Sequence, residues 1–153
     1  IDDINQERLE AISKKYGATI YKGENIYAEE VDIYAPCALG ATINDATIQT
    51  LKAKVVAGAA NNQLADEIKH GRLLQEKGIV YAPDFLINAG GIINVYAELE
   101  NYDKTEIMRK TENIYNTTIE ILNNADVNNI TTHQAALNIA QSRIEARKKE
   151  NQQ

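Results

Sequence analysis

Two rhythms of apolar residues divide the chain near residue 90. Before that point, short apolar runs alternate with stretches at helical spacing. Ile1 to Ile4 reads as the tail of a strand. Leu9, Ile12 and Tyr16 then recur at helical spacing, and Gly17 stands where a left-handed residue ends a helix. Ala18-Thr19-Ile20-Tyr21 is a short strand candidate before the polar turn Lys22-Gly23-Glu24-Asn25. Val31 to Ala35 predicts a better strand, closed by Pro36. Asn44 and Asp45 suit the start of a helix reaching about Lys52. Val55 to Ala60 predicts a strand ending in small residues, and a helix follows from Gln63 to Lys77, stopped by Gly78. Ile79 to Ala82 predicts the last strand. Alternation of this kind argues for an α/β fold with a parallel sheet covered on both faces.

After Gly90-Gly91 the strands stop. Ile92 to Leu99 reads as a helix, and so does 105–122, where Ile107, Thr111, Ile114, Thr118 and Leu122 form one stripe. Asn123 to Asn129 is the softest connection. The last helix opens at Thr131, with Gln134 three residues on in a capping-box pattern. Leu137, Ala140 and Ile144 share one face of it.

Composition narrows the class. With 153 residues the chain is long enough for one domain with a core, and 44% hydrophobic and 25% charged residues are ordinary for a soluble protein. A net charge of -6 argues against nucleic acid or an anionic membrane surface as partner. No apolar run reaches the roughly 18–20 residues of a membrane helix. The basic cluster Arg143, Arg147, Lys148 and Lys149 suits a solvated helix end. Cys37 is the one cysteine, so an internal disulfide is impossible and a reducing, cytoplasmic setting is expected. The opening Ile1-Asp2-Asp3-Ile4-Asn5 has no initiator Met and enters patterned sequence at once, as a fragment does. His70 and His133 lack metal-ligand spacing and are expected at the surface or as caps, with no metal.

An α/β sheet places its ligand at the carboxyl ends of its strands. Asp3 follows the first strand candidate, Pro36 to Ala41 the second, Asn61-Asn62-Gln63 the third, and Pro83-Asp84-Phe85 with Asn88 to Gly91 the fourth. Small residues, amides and glycines gather where a flat cofactor would lie.

Four strings in order carry a resemblance. They are Asp32-Ile33-Tyr34-Ala35-Pro36-Cys37-Ala38-Leu39-Gly40-Ala41; Ala57-Gly58-Ala59-Ala60-Asn61-Asn62-Gln63-Leu64; Gly78-Ile79-Val80-Tyr81-Ala82-Pro83-Asp84; and Asn88-Ala89-Gly90-Gly91-Ile92-Ile93-Asn94-Val95. Together they resemble the cofactor domain of the glutamate/leucine/phenylalanine/valine dehydrogenases, in its leucine-type branch. The resemblance is dense from Asp3 to about Leu99 and thinner beyond.

That resemblance implies a Rossmann-type sheet, truncated here. Residues 1–99 would form an incomplete NAD-binding domain, lacking the first βα unit and its glycine-rich loop. Residues 100–153 would add C-terminal helices packed on the same domain. It also implies oxidative deamination of a branched-chain L-amino acid, leucine to 4-methyl-2-oxopentanoate and ammonia, with NAD taking the hydride. The family's catalytic lysines and aspartate belong to an N-terminal domain, so no catalytic residue is assigned in this chain. The chain alone is expected to hold NAD poorly and to be inactive. An exposed strand edge left by the missing unit predicts a homo-oligomer.

Residue roles follow from the resemblance. Asp3, with Ile4 beside it, would face the adenosine ribose; the plain alternative is a cap on the helix from Asn5. Cys37 and Ala38 would pass under the cofactor, Cys37 as a buried, inert thiol. Asn61 is assigned to the cofactor and Asn62 to the substrate, with the resemblance leaving both open as the one that touches substrate, and Asn62 could instead cap the next helix. Asn88 would hold the nicotinamide carboxamide, with Gly90 and Gly91 free to take positive φ. Ile92 and Val95 would wall the substrate pocket, or else pack in the core. Asp84 reads as a turn signal. Two other readings remain: a phenylalanine-, valine- or glutamate-specific relative, and a non-catalytic binding or oligomerisation module.

Overall fold

Three short strands lie side by side in the computed structural model, which describes residues 1–152. They are β1 (Ile33–Tyr34), β2 (Val55–Val56) and β3 (Val80–Tyr81), all parallel, with Ile33 opposite Val55 and Val55 opposite Val80. Each is shorter than its apolar run. At the end of β1 stands Pro36, which has no N–H to give a ladder. The second connection carries α3 (Glu67–Glu76), and the first carries the single turn α2 (Thr47–Thr50).

The N-terminal segment departs from expectation. Ile1 and the segment around Thr19 form no strand; they are joined by two main-chain bonds, Ile1 N to Thr19 O at 2.7 Å and Tyr21 N to Ile1 O at 2.8 Å. Between them runs α1 (Gln6–Tyr16). Asn5 caps its start by accepting the Arg8 N–H, and Gly17 ends it at φ +69°, as read from the sequence.

A first core gathers under the sheet: Ile43, Ile48, Leu51, Val56, Leu64, Leu74, Ile79 and Tyr81. Ile43, Ile48, Val56 and Leu74 are fully buried, each contributing about 1.5–3 kcal/mol by leaving water. Helix α3 begins at Glu67 rather than Gln63 because Asp66 accepts from Ile68 N and Lys69 N, while Gln63 is bonded elsewhere.

Past β3 the chain is helical. One turn, α4 (Asp84–Ile87), stands where a turn was expected. Next come α5 (Gly90–Glu100), α6 (Lys104–Asn128) and α7 (Thr132–Glu150). The segment 123–129 is no soft connection: α6 runs through it to left-handed Asn129, since Ile121 and Ala125 pack on Ala135 and Ala136 of α7. Small alanines let the two helices approach. The buried side of α6 is Thr117, Ile121 and Ala125, one residue off the expected stripe. On α7 the expected face is turned out: Leu137 and Ile144 are exposed, and His133, Ala135 and Ala136 are buried. Thr131 caps α7 by accepting the Gln134 N–H at 3.1 Å.

Candidate functional site

The tips of β1 and β2 meet through their backbones. Gly58, after β2, lies so close to Pro36, after β1, that a Cβ would fall 2.2 Å from the Pro36 carbonyl oxygen. Ala60 N donates to Pro36 O at 3.0 Å, and Ala41 N donates to Asn62 O at 2.7 Å. Gly40 is equally confined: its Cβ would stand 2.8 Å from the carbonyl oxygens of both Asn61 and Asn62. Glycine is required at both positions by close approach rather than by turn type.

Two residues of this junction carry left-handed backbone without being glycine, Ala41 at φ 61° and Asn62 at φ 52°. Such conformations cost energy for residues with a Cβ and persist where their surroundings hold them. Asn62 therefore makes a tight turn and caps no helix, contrary to one expectation; the cap of α3 is Asp66. Both Asn61 and Asn62 are exposed at the tip.

Asn88 follows α4 and reaches back to the same tip. Its Nδ2 donates to Asn61 Oδ1 at 2.5 Å and to Ala59 O at 3.4 Å. Four predicted site residues are thus brought to one place: Asn61, Asn62 and Asn88 directly, and Cys37 through its neighbour Pro36. Ala38 shares that exposed 37–41 loop. Cys37 itself is exposed, which corrects the expectation of a buried thiol; the loop it occupies lies at a strand end with nothing packed over it.

The other predicted residues lie apart in their contacts. Asp3 Oδ1 accepts the Asn5 N–H at 2.8 Å in a turn ahead of α1, whose cap is Asn5 and not Asp3, and Ile4 is fully exposed. Among the described residues no hydrogen bond ties this end to the loops at 37–41 or 58–63. Ile92 and Val95 lie on α5, 71% and 62% exposed, so core packing is excluded for both. Gly90 and Gly91 are helical in α5 and do not use positive φ.

Beneath the exposed amides lies a polar layer that sequence reasoning passed over. Asp84 is buried; its Oδ2 accepts Gln63 N–H at 2.8 Å and its Oδ1 accepts Phe85 N–H at 2.6 Å. Gln63 is wholly buried, and its Nε2 donates to Gly58 O at 2.7 Å and Ala60 O at 3.0 Å. Its Oε1 has no partner. Asp84 N in turn donates to the Tyr81 hydroxyl at 3.3 Å. Burial, and then the Asp84 charge, push the Tyr81 phenol well above its ordinary value, and burial does the same to Tyr34. Both stay protonated through neutral pH. A Pro-Asp pair and a lone glutamine after two asparagines resemble turn signals, and nothing in their spacing marks them as buried.

Both histidines are also buried rather than superficial. His70 Nδ1 accepts Asp66 N–H at 2.9 Å and Nε2 meets Asp45 Oδ1 at 3.1 Å; His133 Nε2 lies 3.3 Å from Glu67 Oε2, with Phe85 edge-on to its ring. Their partners satisfy them structurally.

Glycines at forced close approach, paired amides and small side chains gather at the carboxyl ends of the parallel strands, where an open α/β sheet takes its ligand. The chain belongs to the Glutamate/Leucine/Phenylalanine/Valine dehydrogenase family, whose model matches residues 2–151. It is 49% identical to a leucine dehydrogenase of Thermoactinomyces intermedius over 149 residues, which is 97% of this chain and 40% of that protein. It is 46% identical to a phenylalanine dehydrogenase of Bacillus thermotolerans over 156 residues, 99% of this chain and 41% of that protein. The crystal structure of L-tryptophan dehydrogenase from Nostoc punctiforme superposes with a TM-score of 0.90 at 44% identity, covering 94% of this chain and 44% of that one. The chain thus spans about two fifths of the length of these relatives. A hetero-hexameric glutamate dehydrogenase from Thermus thermophilus shares the fold at 17% identity and a TM-score of 0.67. No described helix is long and apolar enough to cross a membrane.

Proposed function

We propose that this chain is the cofactor-facing part of an NAD-dependent dehydrogenase of branched-chain L-amino acids. In that reaction L-leucine, water and NAD⁺ give 4-methyl-2-oxopentanoate, ammonium, NADH and a proton. The observation that carries the reading is the Asn61–Asn88 amide pair at the tips of adjacent parallel strands. Family membership and leucine dehydrogenases at 47–49% identity support it.

The donor set fits a nicotinamide cofactor. Asn88 spends an N–H on Asn61 Oδ1, which leaves Asn88 Oδ1 to accept and Asn61 Nδ2 to donate. One acceptor beside one donor is the complement of a primary carboxamide. Cys37 and Ala38 present a low, exposed loop over which a ribose can pass, with Gly40 keeping it close to Asn61 and Asn62. Asp3 keeps one carboxylate oxygen free for ribose hydroxyls, and Ile4 flanks it. When bound, NAD supplies the hydride acceptor; the residues here bind and orient.

On the substrate side, Asn62, exposed at the tip, would meet the polar end of the amino acid. Ile92 and Val95 offer an exposed aliphatic patch on α5 to a branched side chain. One methylene there discriminates by only about 1–3 kcal/mol, so leucine, isoleucine and valine are all accepted. Residues 1–99 act as the cofactor unit, with 100–153 packed on it as helices, and the whole protein works as a homo-oligomer in the cytoplasm.

The test joins this chain to the N-terminal half of a leucine dehydrogenase relative, in trans or fused, and follows NADH formation. Leucine, isoleucine and valine should support it, with phenylalanine and tryptophan poorer. A folded protein without activity on any aliphatic amino acid contradicts the proposal.

A further inference from the structure

We propose that Asp84 is a positioning residue for the amide-bearing tips of β2 and β3, with Gln63 as its buried partner. The role assigned to those amides rests on the cofactor reading above. Asp84 is bonded from beneath to both halves of the tip. Its side chain accepts the N–H of Gln63, the residue after the left-handed turn at Asn62. Its main-chain oxygen accepts the N–H of Asn88 at 3.0 Å. So one residue fixes where Asn61 and Asn62 leave β2 and where Asn88 leaves α4.

Gln63 extends the same hold to the third loop. Its amide nitrogen bonds Gly58 O and Ala60 O, Gly58 rests against Pro36, and Ala60 N bonds Pro36 O. Gln63 O also accepts from Ile43 N at 3.0 Å, beyond the 37–41 loop. The carboxylate, the amide and their main-chain neighbours therefore join all three strand ends. Gln63 is wholly buried in this layer. Its two donated bonds hold the amide in place.

The carboxylate is specifically needed. Two N–H groups, from Gln63 and Phe85, converge on its two oxygens. Asparagine keeps the shape but offers one acceptor oxygen, and its NH₂ then faces one of those N–H groups. Asp84→Asn should let the Gln63 turn drift and misalign Asn61 against Asn88.

The experiment joins the chain, or its Asp84→Asn variant, to the N-terminal part of a leucine dehydrogenase relative and compares the two proteins with two ligands. NADH carries the nicotinamide carboxamide, and ADP-ribose lacks it. Positioning predicts that NADH binding weakens about tenfold, the equivalent of one lost oriented hydrogen bond. ADP-ribose binding should stay within about twofold. Equal loss of both ligands, or loss of neither, overturns the proposal. Gln63→Met, which removes the donated bonds at similar volume, gives the same pattern and stands in if Asp84→Asn fails to fold. Side-chain amide resonances of Asn61 and Asn88 are recorded for each protein. If the joined protein with unaltered Asp84 ignores NADH, the cofactor reading fails. The strut is then judged on those resonances: displacement in Asp84→Asn upholds it, and unchanged positions overturn it.

Discussion

Asn88 and Asn61 share a hydrogen bond of 2.5 Å across the tips of two parallel strands. Each asparagine is exposed enough to meet a ligand, and each fixes the other's orientation. Mutual orientation predicts coupling. Asn61→Ala and Asn88→Ala should each cost modest stability, with a coupling of about 0.5 kcal/mol in a double-mutant cycle by urea unfolding. Strict additivity would show that the bond is not formed in solution.

Gly58 is confined by Pro36. Gly58→Ala places a methyl group against backbone, which cannot rotate away, so the strand ends must part. Destabilisation of about 1–3 kcal/mol is expected, read as a lowered urea midpoint at unchanged slope. Gly91→Ala makes the control: nothing lies within 4 Å of its would-be Cβ and its φ is ordinary for α5. That substitution should be neutral or stabilise by up to about 1 kcal/mol.

Ala41 holds left-handed backbone while its N–H bonds Asn62 O. Glycine adopts that backbone freely, so Ala41→Gly should stabilise the chain by about 1 kcal/mol, less the entropy glycine brings to the unfolded state. A fall in thermal midpoint would mean that the turn is not strained.

Asp45 gives a pH dependence. Its carboxyl is held below the usual carboxylate range by the hydrogen bond from Lys69, and next by that to His70. A folded-state pKa below the unfolded one stabilises above the unfolded carboxylate range, and that part is lost as pH falls through the lower folded value. Asp45→Asn should therefore lower the unfolding midpoint at neutral pH by a small amount, since the carboxylate is exposed. The difference from the unaltered chain should close in acid. A gap that widens below the carboxylate range would reverse the assignment.

Much of the fold was legible because local chemistry and tertiary structure agree. Gly17, Gly78 and Thr131 mark helix ends that need no distant partner. The parallel sheet followed from alternation, and the gathering of Asn61, Cys37 and Asn88 from the rule that strand ends hold the ligand. What stayed hidden depends on partners remote in sequence. Asp84 looks like turn chemistry until Gln63, 21 residues away, is seen bonded to it. His70 is buried because Asp45, 25 residues away, meets its ring. Cys37 was misplaced because burial statistics for cysteine ignore the exposed tip it occupies. Leu137, Ala140 and Ile144 do share a face of α7, but periodicity finds an apolar stripe without saying what covers it, and here it is turned outward.

The most direct test of the cofactor site is a titration with NADH of the isotopically labelled chain joined to the N-terminal part of a leucine dehydrogenase relative, followed residue by residue. The account predicts saturable shifts in the side-chain amides of Asn61 and Asn88 and in the backbone amides of Cys37 and Ala38, with the outer turns of α7 unmoved. Shifts confined to another surface, or none at the two asparagines in a chain that is folded, would contradict it.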